Sequence, residues 1–272
     1  VNNLLTRTIT GIVFVALTVS AIVIDHHAFF ILFLIIAILA LWELYRLAEL
    51  SDIRPNKALG VVSGVLVFLI NASFALGYFD RNILLLNFVP FFLILLSELY
   101  RKLPNPFTNV AFTIFGLLYI AVPFSLLGFL PNINLQPGVY QPAILLGFFG
   151  ISWLNDTAAF LVGSNFGRIK LSEQVSPKKT WEGSLAGGLF ALLAAYLLSL
   201  FFVELTIVNW MIMAIIIVFF GNYGDLFESM FKRSLQVKES GKLLPGHGGI
   251  LDRFDGILIS APFVFVYLIF VL

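Results

Sequence analysis

Cysteine is absent from this sequence. Disulfides and thiolate metal sites are therefore excluded, and redox chemistry gives no hint of compartment. Charge is almost as scarce: Asp, Glu, Lys and Arg make up 11% of the 272 residues, 16 cations against 15 anions. A formal net charge of +1 offers neither the basic surface of a nucleic-acid binder nor a reason to expect an acidic partner. Internal repeats and low-complexity tracts are missing too.

What fills the chain is apolar. Hydrophobic residues make up 60%, Phe alone occurs 30 times and the mean hydropathy is +1.01, all outside the soluble globular range. The sequence reads as an all-α integral membrane protein with the lipid bilayer as its first partner. A spanning helix needs about 20 apolar residues. Nine segments qualify or come close: 8–24, 28–50, 58–78, 82–100, 107–130, 141–163, 183–204, 207–226 and 251–272. Barrel strands are excluded, because the runs are far longer than strands and lack two-residue alternation. The first run has no small-residue cleavage motif before Asp25 and is expected to be a retained helix, not a signal peptide. Asn71 and Ser73 in the third segment, and Pro123 in the fifth, make those two the least regular.

Nine spans place the N-terminus and the loops 51–57, 101–106, 164–182 and 227–250 on one side. All of the 16 lysines and arginines except Arg81 fall there, helix ends included. Basic residues mark the cytoplasmic side. The N-terminus is therefore expected in the cytoplasm and the C-terminus outside, with any site at these loops facing the cytoplasm from an inner (cytoplasmic) membrane.

The two halves differ. Residues 1–140 read as a scaffold of transmembrane helices, in which Glu43, Glu49 and Glu98 lie near Arg46 or Arg101 and are expected to form surface ion pairs. Residues 141–272, with the loops 164–182 and 227–250, hold nearly all the unusual chemistry. Three clusters stand out. Asn155-Asp156 sits inside a spanning segment, where a carboxylate is costly and marks either a function or a buried partner. The loop GSNFGRIKLSEQVSPKKTWEG carries Pro177 ahead of Lys178 and Lys179, and Trp181-Glu182 where the next helix begins. Taken alone it also suits an ordinary basic anchor with an interfacial aromatic.

The third cluster is ESMFKRSLQVKESGKLLPGHGGILDRFDG, from Glu228 to Gly256, with Asp225 just ahead of it. Asp225 and Glu228 are three residues apart and share a helix face, as do Asp252 and Asp255. Two carboxylate-bearing helix ends facing one another suit Mg²⁺, with coordination positions left for water and phosphate oxygens. Gly246, Gly248 and Gly249 let backbone amides approach phosphate. His247 is open to three roles, base, metal ligand or phosphate donor, and its glycine-rich setting favours the donor.

Ser229-x-x-Lys232-Arg233, then Lys238, Gly241, Pro245, and His247-Gly248-Gly249-x-x-Asp252-Arg253-x-Asp255 resemble the signature of the phosphatidate cytidylyltransferases (CDP-diacylglycerol synthases). The block Ser176-Pro177-Lys178-Lys179-Thr180-Trp181-Glu182-Gly183 is similar to that family's second motif, and Asn155-Asp156 to its preceding helix. The resemblance covers about residues 140–260. Glu239 stands where Asp is expected after the lysine, and Ser164 where a basic residue is more usual; neither touches the carboxylates.

The resemblance implies a reaction in which CTP and phosphatidic acid give CDP-diacylglycerol and pyrophosphate. It implies Mg²⁺ held chiefly by Asp225 and Asp252, with Asp156, Glu228 and Asp255 in support and a second cation left open. Lys178, Lys179, Arg233 and Arg253 join the two aspartates as the catalytic set. Asn155, Ser176, Thr180, Glu182, Lys232, Lys238, His247, Gly248 and Gly249 are the expected substrate contacts. A homodimer follows from the same resemblance, with the bare apolar faces of the first half as contact candidates. Competing classes are an ion-coupled transporter, which would place acidic residues near the midplane of both halves, and a CTP-dependent polyprenol or phytol kinase. A CDP-alcohol phosphotransferase is disfavoured, because its several aspartates at fixed spacing on adjoining helices are missing.

Overall fold

A computed structural model describes residues 3–132, 140–241, 243 and 248–272, with side chains from Thr8 onward. The helices are α1 (Asn3–Ile24), α2 (His26–Ala48), α3 (Lys57–Ala75), α4 (Phe88–Arg101), α5 (Pro106–Gly116), α6 (Val122–Leu127), α7 (Pro142–Phe166), α8 (Trp181–Phe201), α9 (Ile207–Ser234) and α10 (Leu251–Val271). Among the described residues, eight helical stretches are long and apolar enough to cross a membrane, and the apolar run Thr8–Ile24 is a shorter ninth. All nine expected segments are helical, and the chain is an all-α integral membrane protein.

The two irregular segments have physical explanations. Pro123 removes one backbone donor near the end of the fifth segment, and a π-helical turn at Leu117–Ala121 absorbs the mismatch. Between α5 and α6 the Val122 amide donates five residues back, to the Leu117 carbonyl. In α3, Asn71 is buried and donates to Ser125 Oγ at 2.9 Å, while its Oδ1 accepts from Asn87 at 3.2 Å. Satisfied in this way, a polar side chain is tolerated in an apolar bundle.

The chain packs as two compact units, Val1–Tyr140 with Leu235–Phe254, and Gln141–Ser234 with Asp255–Leu272. The first unit has an aromatic centre. Phe29 stacks on Phe33 at 4.4 Å between ring centroids, and Phe254 meets Phe14 edge-on at 5.4 Å and Phe124 at 5.0 Å. Phe254 is fully buried. It therefore pegs the Asp252-Arg253-Phe254 stretch into a rigid core.

In the second unit, lipid offers helices no hydrophobic reason to associate, so close backbone packing has to hold them. Buried positions on α8 are Gly183, Gly187, Ala191 and Ala195, one small residue per turn. A Cβ at Gly187 would lie 2.7 Å from Asn155 Oδ1, and one at Gly183 would lie 2.7 Å from the Ala159 carbonyl oxygen on α7. Helices α9 and α10 meet in the same way. A Cβ at Gly224 would fall 2.5 Å from the Asp255 carbonyl oxygen and 3.0 Å from Gly256 Cα.

Two features depart from the expected boundaries. The segment expected to end at 226 continues to Ser234, so Glu228, Lys232 and Arg233 are on a helix, not in a loop spanning 227–250. No Gly or Pro interrupts the chain between Gly224 and Ser234, and Glu228 pairs with Lys232 one turn on. At 28 residues α9 is about 42 Å long. That exceeds the roughly 30 Å hydrocarbon core. Within the loop 164–182, Lys170–Ser172 and Ser176–Thr180 pair as a short antiparallel hairpin, β1–β2.

These contacts predict which glycines tolerate a methyl group. Gly224→Ala should destabilise by about 1–3 kcal/mol, the scale of overpacking, and lower the unfolding temperature in detergent. Nothing lies within 4 Å of a Cβ at Gly150, so Gly150→Ala should leave that temperature unchanged or slightly raised. Equal behaviour of the two variants would refute the close packing of α9 on α10.

Candidate active site

The close approach of α9 and α10 gathers carboxylates. Asp225 follows Gly224 directly, and Asp255 precedes Gly256, so the glycine contact carries both side chains with it. Asp255 is half-buried and lies within electrostatic reach of Asp225, Glu228 and Asp156. Glu228 is only 1% exposed. In a region of low dielectric, like charges this close require positive partners.

Two lysines supply them. Lys179 Nζ is 2.5 Å from Asp225 Oδ2, and Lys232 Nζ is 2.8 Å from Glu228 Oε2. Asp225 Oδ1 also accepts from Ser229 Oγ at 3.3 Å. Lys179 reaches α9 because the hairpin aims it there. Along β2 the half-buried Lys179 alternates with exposed Lys178, as neighbours on a strand must.

The ends of the hairpin are tied down. Thr180 Oγ1 accepts from the Gly183 amide at 3.2 Å as the N-cap of α8. Glu182 accepts from the Ile169 amide through both oxygens, at 3.1 and 3.2 Å, and the Trp181 amide donates to the Ile169 carbonyl at 2.9 Å. Ser176 sits opposite Ser172 in the register. Thr180 and Glu182 thus hold the lysine-bearing strand in place. On α7, Asn155 is buried and donates to Asp156 Oδ1 at 3.2 Å, with its Oδ1 close to the backbone of α8.

Asp252 belongs to the first unit, and its carboxylate organises the segment before α10. Its Oδ2 accepts from the Ser240 amide at 2.9 Å, Ser240 Oγ at 3.1 Å and the Gly249 amide at 2.8 Å. Three donors fill that oxygen. The Gly249 amide, expected to approach phosphate, is engaged by Asp252 instead. Gly248 has φ +85°, and a Cβ there would lie 2.5 Å from Asp252 Oδ2. Both the conformation and the space demand glycine. Arg233, Lys238 and Arg253 are exposed. His247, with Lys242, Pro245 and Gly246, lies outside the described residues.

Residues 5–271, nearly the whole chain, match the model of the cytidylyltransferase family. The chain belongs to that family. It is 34% identical over 229 residues to a protein of Staphylococcus haemolyticus named phosphatidate cytidylyltransferase, covering 83% of this chain and 85% of the relative. A protein of the same name from Staphylococcus saprophyticus is 35% identical over 229 residues, covering 82% of this chain and 85% of its own. One from Rickettsia prowazekii is 36% identical over 178 residues, covering 63% of this chain and 75% of the relative.

The three glutamates expected in surface ion pairs fare differently. Glu98 does pair with Arg101 at 2.7 Å, as expected, though Glu98 itself is buried. Glu49 pairs with Lys57 at 2.8 Å instead of Arg46. Glu43 pairs with neither arginine: it is 5% exposed and faces Ser240 and Leu251. Its spacing from the buried Ile36, Ala40 and Leu47 already placed it on the apolar face of α2. That periodicity was the available signal.

The lysine pairings yield a ranking of effects. Lys179→Gln removes the partner of Asp225 and should cut cytidylyl transfer by about 10²-fold, the scale of one positioned donor. Lys57→Gln breaks only a partly exposed pair with Glu49 and should change transfer less than about twofold. If steady-state rates of both variants fall alike, bulk interfacial charge is at work and the Lys179 assignment fails.

Proposed function

We propose that this protein transfers the cytidylyl group of CTP to phosphatidate, forming CDP-diacylglycerol and pyrophosphate. A phosphatidate oxygen attacks the α-phosphorus of CTP, the bond to the β-phosphoryl oxygen breaks, and pyrophosphate leaves with that electron pair. The observation that carries this reading is the Lys179–Asp225 pair. It joins the Ser-Pro-Lys-Lys-Thr strand to the acidic helix α9, the two sequence motifs on which the family resemblance rested.

The phosphatidate phosphate is anionic at neutral pH and needs no strong base before it attacks. The task is to bring two anions together and stabilise the leaving group, which is the work of positioned cations. Lys178, Lys179, Lys232, Arg233 and Arg253 are the cations on the elements that carry the motifs, with Lys238 in the following segment. Acyl chains remain in the bilayer while CTP arrives from water, which suits a site at the ends of spanning helices.

The donor chemistry fits Mg²⁺, because the available groups are hard carboxylate oxygens. Among the described residues no three His, Asp or Glu side chains form a ready-made metal cage. Mg²⁺ keeps several waters and is held directly by only one or two carboxylates, the others acting at longer range. Asp225 and Asp252 would be its principal holders, with Asp156, Glu228 and Asp255 in support. When bound, the ion supplies charge neutralisation for the triphosphate and the departing pyrophosphate.

The same reading places the site on the cytoplasmic face of the inner membrane, supported by the one-sided distribution of Lys and Arg and by bacterial relatives. It includes a homodimer, whose test is the mass of the detergent-solubilised protein.

Purified protein given CTP labelled at the α-phosphorus should label lipid only when phosphatidic acid is present. Label entering lipid from the γ-phosphorus instead would identify a CTP-dependent lipid kinase and reject transfer to phosphatidate. Asp225→Asn should fold, and should lower transfer by about 10²–10³-fold. Near-normal turnover of that variant at ordinary Mg²⁺ would remove Asp225 from the metal site.

A further inference from the structure

Helix α10 begins at Leu251, and the residue before it, Ile250, has no side-chain oxygen with which to cap the helix. The cap comes from elsewhere in the sequence. Glu43 Oε2, on α2, accepts from the Leu251 amide at 3.1 Å across a separation of 208 residues. A carboxylate there also faces the positive end of the helix dipole. The same oxygen accepts from Ser240 Oγ at 3.3 Å, and that hydroxyl lies 3.1 Å from Asp252 Oδ2. The Ser240 hydroxyl therefore lies between two carboxylates and shares its single proton between them.

The glycines of the segment are shaped around Glu43. A Cβ at Gly249 would lie 2.5 Å from Glu43 Oε2 and would collide with Ser240 Oγ. At Gly241 it would collide with Glu43 Oε1. Gly241 and Gly249 therefore leave room for a carboxylate, beyond any service to phosphate. A 5% exposed acid in a spanning helix is costly, and here it makes no ion pair with the arginine one turn on.

We propose that Glu43 is a positioning residue for the transfer reaction. It fixes the first turn of α10 and, through Ser240, the orientation of the Asp252 carboxylate, without touching the reacting groups. This rests on the reading of Asp252 as a ligand of the divalent cation. Side chains that orient metal ligands typically matter by about 10–100-fold in metal affinity or activity.

The test uses Mn²⁺ as a spectroscopic stand-in for Mg²⁺, titrated into purified full-length protein and followed by paramagnetic resonance. Glu43→Ala should weaken Mn²⁺ binding by about tenfold and raise the Mg²⁺ concentration for half-maximal transfer by a similar factor. Glu43→Gln keeps an acceptor for Leu251 and should recover most of both. Ser240→Ala cuts only the bridge to Asp252 and should weaken Mn²⁺ binding while leaving the thermal unfolding temperature near wild type. If Glu43→Ala does not fold, Ser240→Ala decides the matter alone. Unchanged Mn²⁺ affinity in a folded Glu43→Ala and in Ser240→Ala would overturn the proposal, whatever happens to turnover. Wild-type protein that binds Mn²⁺ but makes no CDP-lipid would defeat the functional reading, with the Mn²⁺ affinities still judging Glu43. Wild-type protein that binds no Mn²⁺ would defeat the proposal.

Discussion

Close backbone contact between helices is the constraint on which the second unit depends. Hydrocarbon solvates apolar side chains as well as a neighbouring helix does, so burial of Leu or Phe gives little net association in a bilayer. Small residues change that, because they let two backbones touch and gain dispersion along their whole length. Gly183, Gly187, Ala191 and Ala195 give α8 such a seam, and Gly224 with Gly256 bring α9 onto α10. The candidate site residues are neighbours of these small residues in sequence. Asp225 follows Gly224, Asp255 precedes Gly256, and Asn155 lies against Gly187. Packing and chemistry are therefore the same feature.

Gathering carboxylates creates an electrostatic problem that the lysines solve without closing the site. Lys179 and Lys232 hold Asp225 and Glu228 by direct ion pairs. An ammonium on a four-carbon stem is a compact, rotatable donor, unlike the fixed fork of Arg. Thr180 and Glu182 pin the lysine-bearing strand at the start of α8.

Much of this was legible in the sequence, for a physical reason. Spanning helices are dictated by length and hydropathy alone, and all nine segments are helical. The acidic face of α9 followed from the spacing of Asp225 and Glu228. What could not be read was the end of α9, because a helix that leaves the membrane keeps its hydrogen bonds while losing its apolar signal. The hairpin was hidden for a different reason. Three- and five-residue strands have too few positions to show alternation, and their polar sequence resembles any basic loop. Glu43 was misread because neighbouring charges at helical spacing suggest a surface pair, whereas its alignment with Ile36, Ala40 and Leu47 predicted burial. Where the two signals disagree inside a spanning helix, the apolar face is the stronger, since an unsolvated charge must find its partner on another element.

Asp252 shows the limit of reasoning from spacing. Asp225–Glu228 and Asp252–Asp255 have identical spacing, and as sequence they look like two equal halves of one cation site. Their surroundings differ. Asp225 has a lysine and a serine as partners, groups that can be displaced or turned. Asp252 Oδ2 holds two backbone amides and a hydroxyl, and Phe254 locks the following turn into an aromatic core. Backbone amides cannot be turned away without unfolding the segment. Asp252 Oδ2 thus ties Ser240 to Gly249 ahead of α10. A substitution that removes its charge weakens the acceptor shared by two backbone amides and a hydroxyl, and so acts on this segment directly.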